Sequence, residues 1–191
     1  MIKFFTNKEL SQNFNINLAK WKRWSREFLP PDPLGGLQSG YARQYNLDEA
    51  FNVFLGGHLV GTLKFTIPEA KKILHDLYQW LADYDFYYDF SGSANPRNES
   101  DHPVQYYQIV IIGTNNSEGN LAGYRYRAKA VISNDSIMFN GSPVHQERYV
   151  ESWIGAPDNA PTQLNPPSHR VLNISVLRRI FLGLVQPEGG G

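Results

Sequence analysis

The spacing of apolar residues changes once along this chain, and that change constrains the fold more than any other feature. In the first part they recur every three or four residues. Leu18, Trp21, Trp24 and Phe28 form one such series, Ala50, Phe51, Phe54, Leu55 and Leu59 a second, and Ala70, Ile73, Leu74, Leu77, Tyr78 and Leu81 a third. Each series lines one face of an α-helix. From Val104 onward the pattern is that of strands: Val104–Ile112 is rich in Tyr, Ile and Val, Tyr124–Ala130 alternates apolar and basic residues, and Val144–Trp153 can form another strand. Helices followed by strands predict an α+β fold. Between them, Asp83–Phe90 is acidic and aromatic, and Ser91–Ser100 has the composition of a linker. The chain therefore divides into residues 1–82, a connector at 83–103, and a β-rich domain at 104–191.

Local signals place the elements. Thr6 with Glu9, and Thr66 with Pro68 and Glu69, carry capping-box spacing. Asn17 can cap the second helix, which Pro30, Pro31 and Pro33 end. Residues 34–45, Gly-rich and then alternating, predict a projecting hairpin. Asp48 can cap a third helix that Gly56-Gly57 should weaken or end. In the second half, Thr114–Gly119 reads as a hairpin loop, Asn140-Gly141 as a turn and Pro157–Pro167 as a loop, within a small antiparallel meander. A final helix presents Ile174, Leu177, Ile180, Phe181 and Leu184 on one face.

Composition narrows function by exclusion. With no cysteine among 191 residues, disulfides, thiolate metal sites and thiol redox sensing are ruled out. No apolar run is long enough to span a membrane, and the polar, charged start does not read as a signal peptide, so a cytoplasmic location is expected. His58, His75, His102, His145 and His169 show no metal-ligand spacing. Neither a P-loop nor a recognisable nucleophile–His–Asp context occurs. The expectation is a non-enzyme with no cofactor and no metal. The formal charge sums to zero, yet its distribution is uneven: residues 1–82 hold ten Lys and Arg against seven Asp and Glu, and residues 83–191 hold eight against eleven. A basic front half points to a polyanion contact on that side.

Two short helices joined by a tight turn, a Gly-rich hairpin and a further helix make a winged helix-turn-helix. The basic residues Lys20, Lys22, Arg23 and Arg26 lie opposite the apolar stripe of the second helix, in a position to neutralise phosphates in a major groove. An ordered series of motifs carries a resemblance: Phe5-Thr6, Glu9-Leu10-Ser11, the run Asn15–Trp24, Arg43-Gln44-Tyr45, Leu47-Asp48-Glu49 and Gly61–Ala70. Over residues 3–82 the chain resembles the MerR-like winged helix-turn-helix DNA-binding family. The resemblance implies that Asn17, Leu18, Ala19 and Lys20 meet the groove and that Lys22 contacts phosphate. It further implies that Arg43 is the wing arginine, with Tyr41 and Tyr45 as its neighbouring aromatics, that Trp21 and Ile16 are core, and that Trp24 can touch backbone. No long heptad helix follows residue 82, so the final helix is the expected dimer surface.

The expected function is a sequence-specific, duplex-DNA-binding transcriptional regulator acting as a homodimer, its effector unidentified. Two alternatives belong to other classes: an architectural, excisionase-like DNA-bending protein, and a ligand- or protein-binding scaffold whose helix-turn-helix does not bind DNA. Arg125, Arg127 and Lys129 are expected on the solvent face of a strand, and the aromatics at Phe86–Phe90 and Tyr106–Tyr107 can line a small-molecule pocket.

Overall fold

The computed structural model describes residues 4–32, 42–87, 103–115, 121–155 and 169–185. It is mixed α and β, with two compact units: residues 1–95 together with 178–191, and residues 96–177. The first unit carries β1 (Phe5–Thr6), α1 (Asn7–Asn13), α2 (Leu18–Phe28), β2 (Gln44–Tyr45), α3 (Leu47–Gly61) and α4 (Ile67–Asp83). The strands β1 and β2 pair antiparallel, Phe5 opposite Tyr45. No described helix is long and apolar enough to cross a membrane.

The caps explain where these helices begin and end. Thr6 and Thr66 each accept from the backbone three residues on, and Glu9 and Glu69 reach back to complete the capping boxes. Exchanging Thr66 for alanine removes the hydroxyl half of one box and leaves the backbone N–H bond to Glu69, so a loss of about 1 kcal/mol in urea unfolding is expected. Asn15 has φ +51° and ends α1: its N–H reaches Gln12 O while Ile16 N–H reaches Ser11 O. This Schellman pairing turns the chain tightly into α2, with asparagine taking the left-handed position that glycine usually fills. Asp85, φ +56°, ends α4 by the same pair of bonds.

Two expectations about α3 are corrected. Its cap is Asn46, in a capping box with Glu49, and Asp48 lies within the first turn. Nor do Gly56-Gly57 end the helix, which continues to Gly61. Their missing side chains are filled by rings: a Cβ on Gly56 would stand 2.4 Å from Phe28 Cδ2, and one on Gly57 2.3 Å from Trp24 Cζ3. The glycines cost helix propensity and in return let α2 lie against α3 at close range. Trp21, Trp24 and Phe28 are accordingly buried.

The second unit is a four-stranded antiparallel sheet of order β5-β4-β3-β6, with β3 Tyr106–Asn115, β4 Leu121–Phe139, β5 Ser142–Ile154 and β6 Arg170–Leu172. Among the described residues, β4 beyond Val131 pairs only with β5, out to Phe139 opposite Ser142. Asn140 (φ +49°) and Gly141 (φ +80°) close that hairpin, as the Asn-Gly turn predicts. The loops expected at Thr114–Gly119 and Pro157–Pro167 lie mainly or wholly outside the described residues, as does most of the connector.

The basic row of β4 does not face solvent as a whole. Arg125 is exposed, but Arg127 is buried, pairing with Glu151 at 3.2 Å, and Lys129 is ion-paired to Glu147. Period-two alternation assigns all three to one face and carries no information about what covers that face.

Helix α5, Ile174–Val185, divides between the units at Arg178. Ser175 Oγ accepts from Tyr107 N–H at 2.8 Å. Further along, Phe181 is fully buried among Phe14, Phe51 and Phe54, at centroid distances of 5.7, 5.1 and 5.7 Å. Of the stripe expected to form a dimer surface, Ile174, Leu177 and Phe181 are buried within the chain, leaving Ile180 and Leu184 exposed. Phe181 therefore completes the core of the first unit.

Candidate nucleic-acid interface

Helix α2 places the predicted residues in two distinct sets. Leu18, Ala19, Lys20, Lys22, Arg23 and Arg26 are exposed on its outer side. Asn17 is exposed as well, but its Oδ1 is occupied as the N-cap, accepting from Ala19 N at 2.9 Å and Lys20 N at 3.3 Å. Lys20 Nζ lies 4.8 Å from the Trp24 ring centroid, which holds that cation against the helix surface. Trp24 is itself buried, so the wall of the core is its role.

Among the described residues none of Lys20, Lys22, Arg23 and Arg26 is ion-paired. The one acid of α2, Glu27, is 3.5 Å from Lys71 of α4. The outer face of α2 thus presents four cations with its carboxylate engaged to the side.

Arg43 and Tyr45 take different places from those expected of free contacts. The Arg43 guanidinium donates to Pro30 O at 2.8 Å and to Glu49 Oε1 at 3.0 Å, and its side chain is only 14% exposed. It ties the end of α2 to the start of α3. Tyr45 is 1% exposed and faces the core, so its ring is not a surface contact. The Tyr45 hydroxyl donates to Asn7 Oδ1 at 2.6 Å and, having one proton, accepts from Ser25 Oγ at 2.7 Å. Burial holds this hydroxyl above its ordinary pKa, the bond from Ser25 offsetting part of that rise, so it remains a donor. Tyr41 and the expected hairpin up to residue 41 lie outside the described residues.

Lys22, Arg26 and Arg43 nevertheless line one cleft of about 430 Å³, with Asn7, Ser25 and Asp32 in its wall. Three cations and one carboxylate around a solvent-open hollow suit an anionic oxygen such as a phosphate. Asn7 and Ser25 were not anticipated. Ser25 had a legible signal, being a polar residue four positions after Trp21 on an otherwise apolar stripe, where burial requires a partner. Asn7 had none, because its contact to Tyr45 spans 38 positions.

Comparison of the chain with protein-family models, with curated proteins and with solved structures found no match.

Proposed function

We propose that the chain is a sequence-specific DNA-binding regulator that meets duplex DNA through the outer face of α2 and acts as a homodimer. The observation that carries this reading is the four-cation face of α2, free of ion pairs among the described residues, on the helix that follows α1 across the tight turn set by Asn15. An 11-residue helix is about 16 Å long, a fit to the major groove that reads only a few base pairs per copy. Two copies on a palindrome supply the remaining specificity. Lys20, Lys22, Arg23 and Arg26 bind backbone phosphates, Leu18 and Ala19 face base edges at the N-terminal turn, and Arg43 acts from within its tie to Pro30 and Glu49.

Selection from a randomised duplex library at two salt concentrations tests this. A palindromic motif should emerge, and the Lys22→Ala/Arg26→Ala variant should bind with a salt slope lower by about 2, one unit for each phosphate that is no longer neutralised. Arg43→Ala is a poor probe, since it also unties α2 from α3. A library with no enriched motif, or a salt response the double variant leaves unchanged, rejects the assignment.

A further inference from the structure

A second cleft of the first unit, about 400 Å³ in volume, opens beside α3, within the range of small-molecule sites (about 300–1,000 Å³). Its chemistry differs from that of the basic cleft. Tyr78 and Tyr87 form one wall, their rings 5.3 Å apart and tilted by 36°. Asp48 and Glu49, both in the first turn of α3, supply two carboxylates, and among the described residues no Lys, Arg or His lines the cleft. The base is held rigid: Asn52 donates to Phe28 O at 2.9 Å and accepts from the Tyr87 hydroxyl at 3.2 Å. Tyr78 is half exposed, so ring surface is open to solvent at the mouth. Aromatic faces beside carboxylates attract positive charge from two sources at once, the ring quadrupole and the anions.

We infer that this cleft binds a small organic cation, a quaternary ammonium or guanidinium attached to an apolar body, with its charge between the Tyr78 and Tyr87 rings and the carboxylates of Asp48 and Glu49. Glu49 also gives the site a link to the basic cleft. Its Oε1 accepts from Arg43, which lines that cleft, and Pro30 lines both hollows. A bound cation therefore shares the charge of Glu49 with Arg43.

Titration calorimetry on the full chain tests the site without DNA, so its result stands apart from the DNA-binding proposal. The probes are benzyltrimethylammonium and, as an anion of similar size, benzenesulfonate. The cation is expected to bind and the anion not. Asp48→Asn should weaken the cation about tenfold, as loss of one charge–charge contact at a part-buried site does, and Tyr78→Ala should weaken it several-fold. Arg43→Met should tighten it several-fold, because Glu49 loses its competing cation. Asp48 is part-exposed and Tyr78 half exposed, and affinities are compared at a temperature where the melting profile of each variant shows it folded. Equal binding of cation and anion, no binding of the cation, or an Asp48→Asn variant that binds as tightly as wild type would each overturn the inference.

Discussion

Replacing Gly57 by valine should destabilise the first unit by about 3 kcal/mol, the upper end of the usual cost of overpacking. A Cβ at this position would meet Trp24 Cζ3, Cε3 and Cη2 at 2.3, 2.5 and 2.9 Å. The indole cannot yield cheaply: it is buried, and Lys20 lies over its outer surface. Moving it would shift α2, the helix that carries the proposed DNA-contacting face. Gly61 on the same helix provides the control. A Cβ there meets nothing within 4 Å, so Gly61→Ala should be neutral or should stabilise by about 0.5–1 kcal/mol through helix propensity. A third variant separates steric conflict from any intrinsic need for glycine: Gly57→Val combined with Trp24→Leu should recover part of the loss. Urea unfolding followed by tryptophan fluorescence in a Trp153→Phe background reads the first unit alone, since Trp21, Trp24 and Trp80 all lie within it. If Gly57→Val keeps the wild-type midpoint, the close approach of α2 to α3 is wrong.

The same glycines show what the sequence could and could not say. Propensity treats Gly56-Gly57 as a break, and nothing local reveals that Phe28 and Trp24 fill the space. Capping boxes at Thr6 and Thr66 were legible because donor and acceptor sit three residues apart, and the Asn140-Gly141 turn because two adjacent residues supply its positive φ angles. Long-range contacts were hidden. The burial of Arg127 against Glu151 depends on pairing two strands, and the ties of Arg43 and Tyr45 depend on α2, β2 and α3 meeting. For the candidate interface, the exposed cations of α2 followed from helical periodicity alone. The bonds that tie that helix to β2 and α3, Ser25 with Tyr45 and Phe28 with Asn52, did not, because they join positions 20 and 24 apart in the chain.

Phe181→Ala should cost about 3–5 kcal/mol, as removal of a fully buried ring does. Its ring is 0% exposed and lies 5.1 Å from Phe51, with Phe14 and Phe54 completing a four-ring cluster. Ring pairs of this geometry add to the area they bury. Phe14 belongs to the turn between α1 and α2, so the loss should also loosen that turn and, on the proposed function, lower DNA affinity without altering any cation of the proposed interface. Ile180, the preceding residue, is exposed, and Ile180→Lys should change stability by no more than about 0.5 kcal/mol. The pair therefore distinguishes two roles for α5. If the helix serves only as a dimer surface, Ile180→Lys lowers the mass measured by light scattering and Phe181→Ala leaves the monomer folded. If it completes the core, Phe181→Ala lowers the unfolding midpoint at every protein concentration. Truncation at residue 170 cannot make this distinction, because it removes Phe181 from the core along with Ile180 and Leu184 from the surface. The burial of Phe181 leads us to expect the concentration-independent loss, with any dimer contact on α5 confined to Ile180 and Leu184.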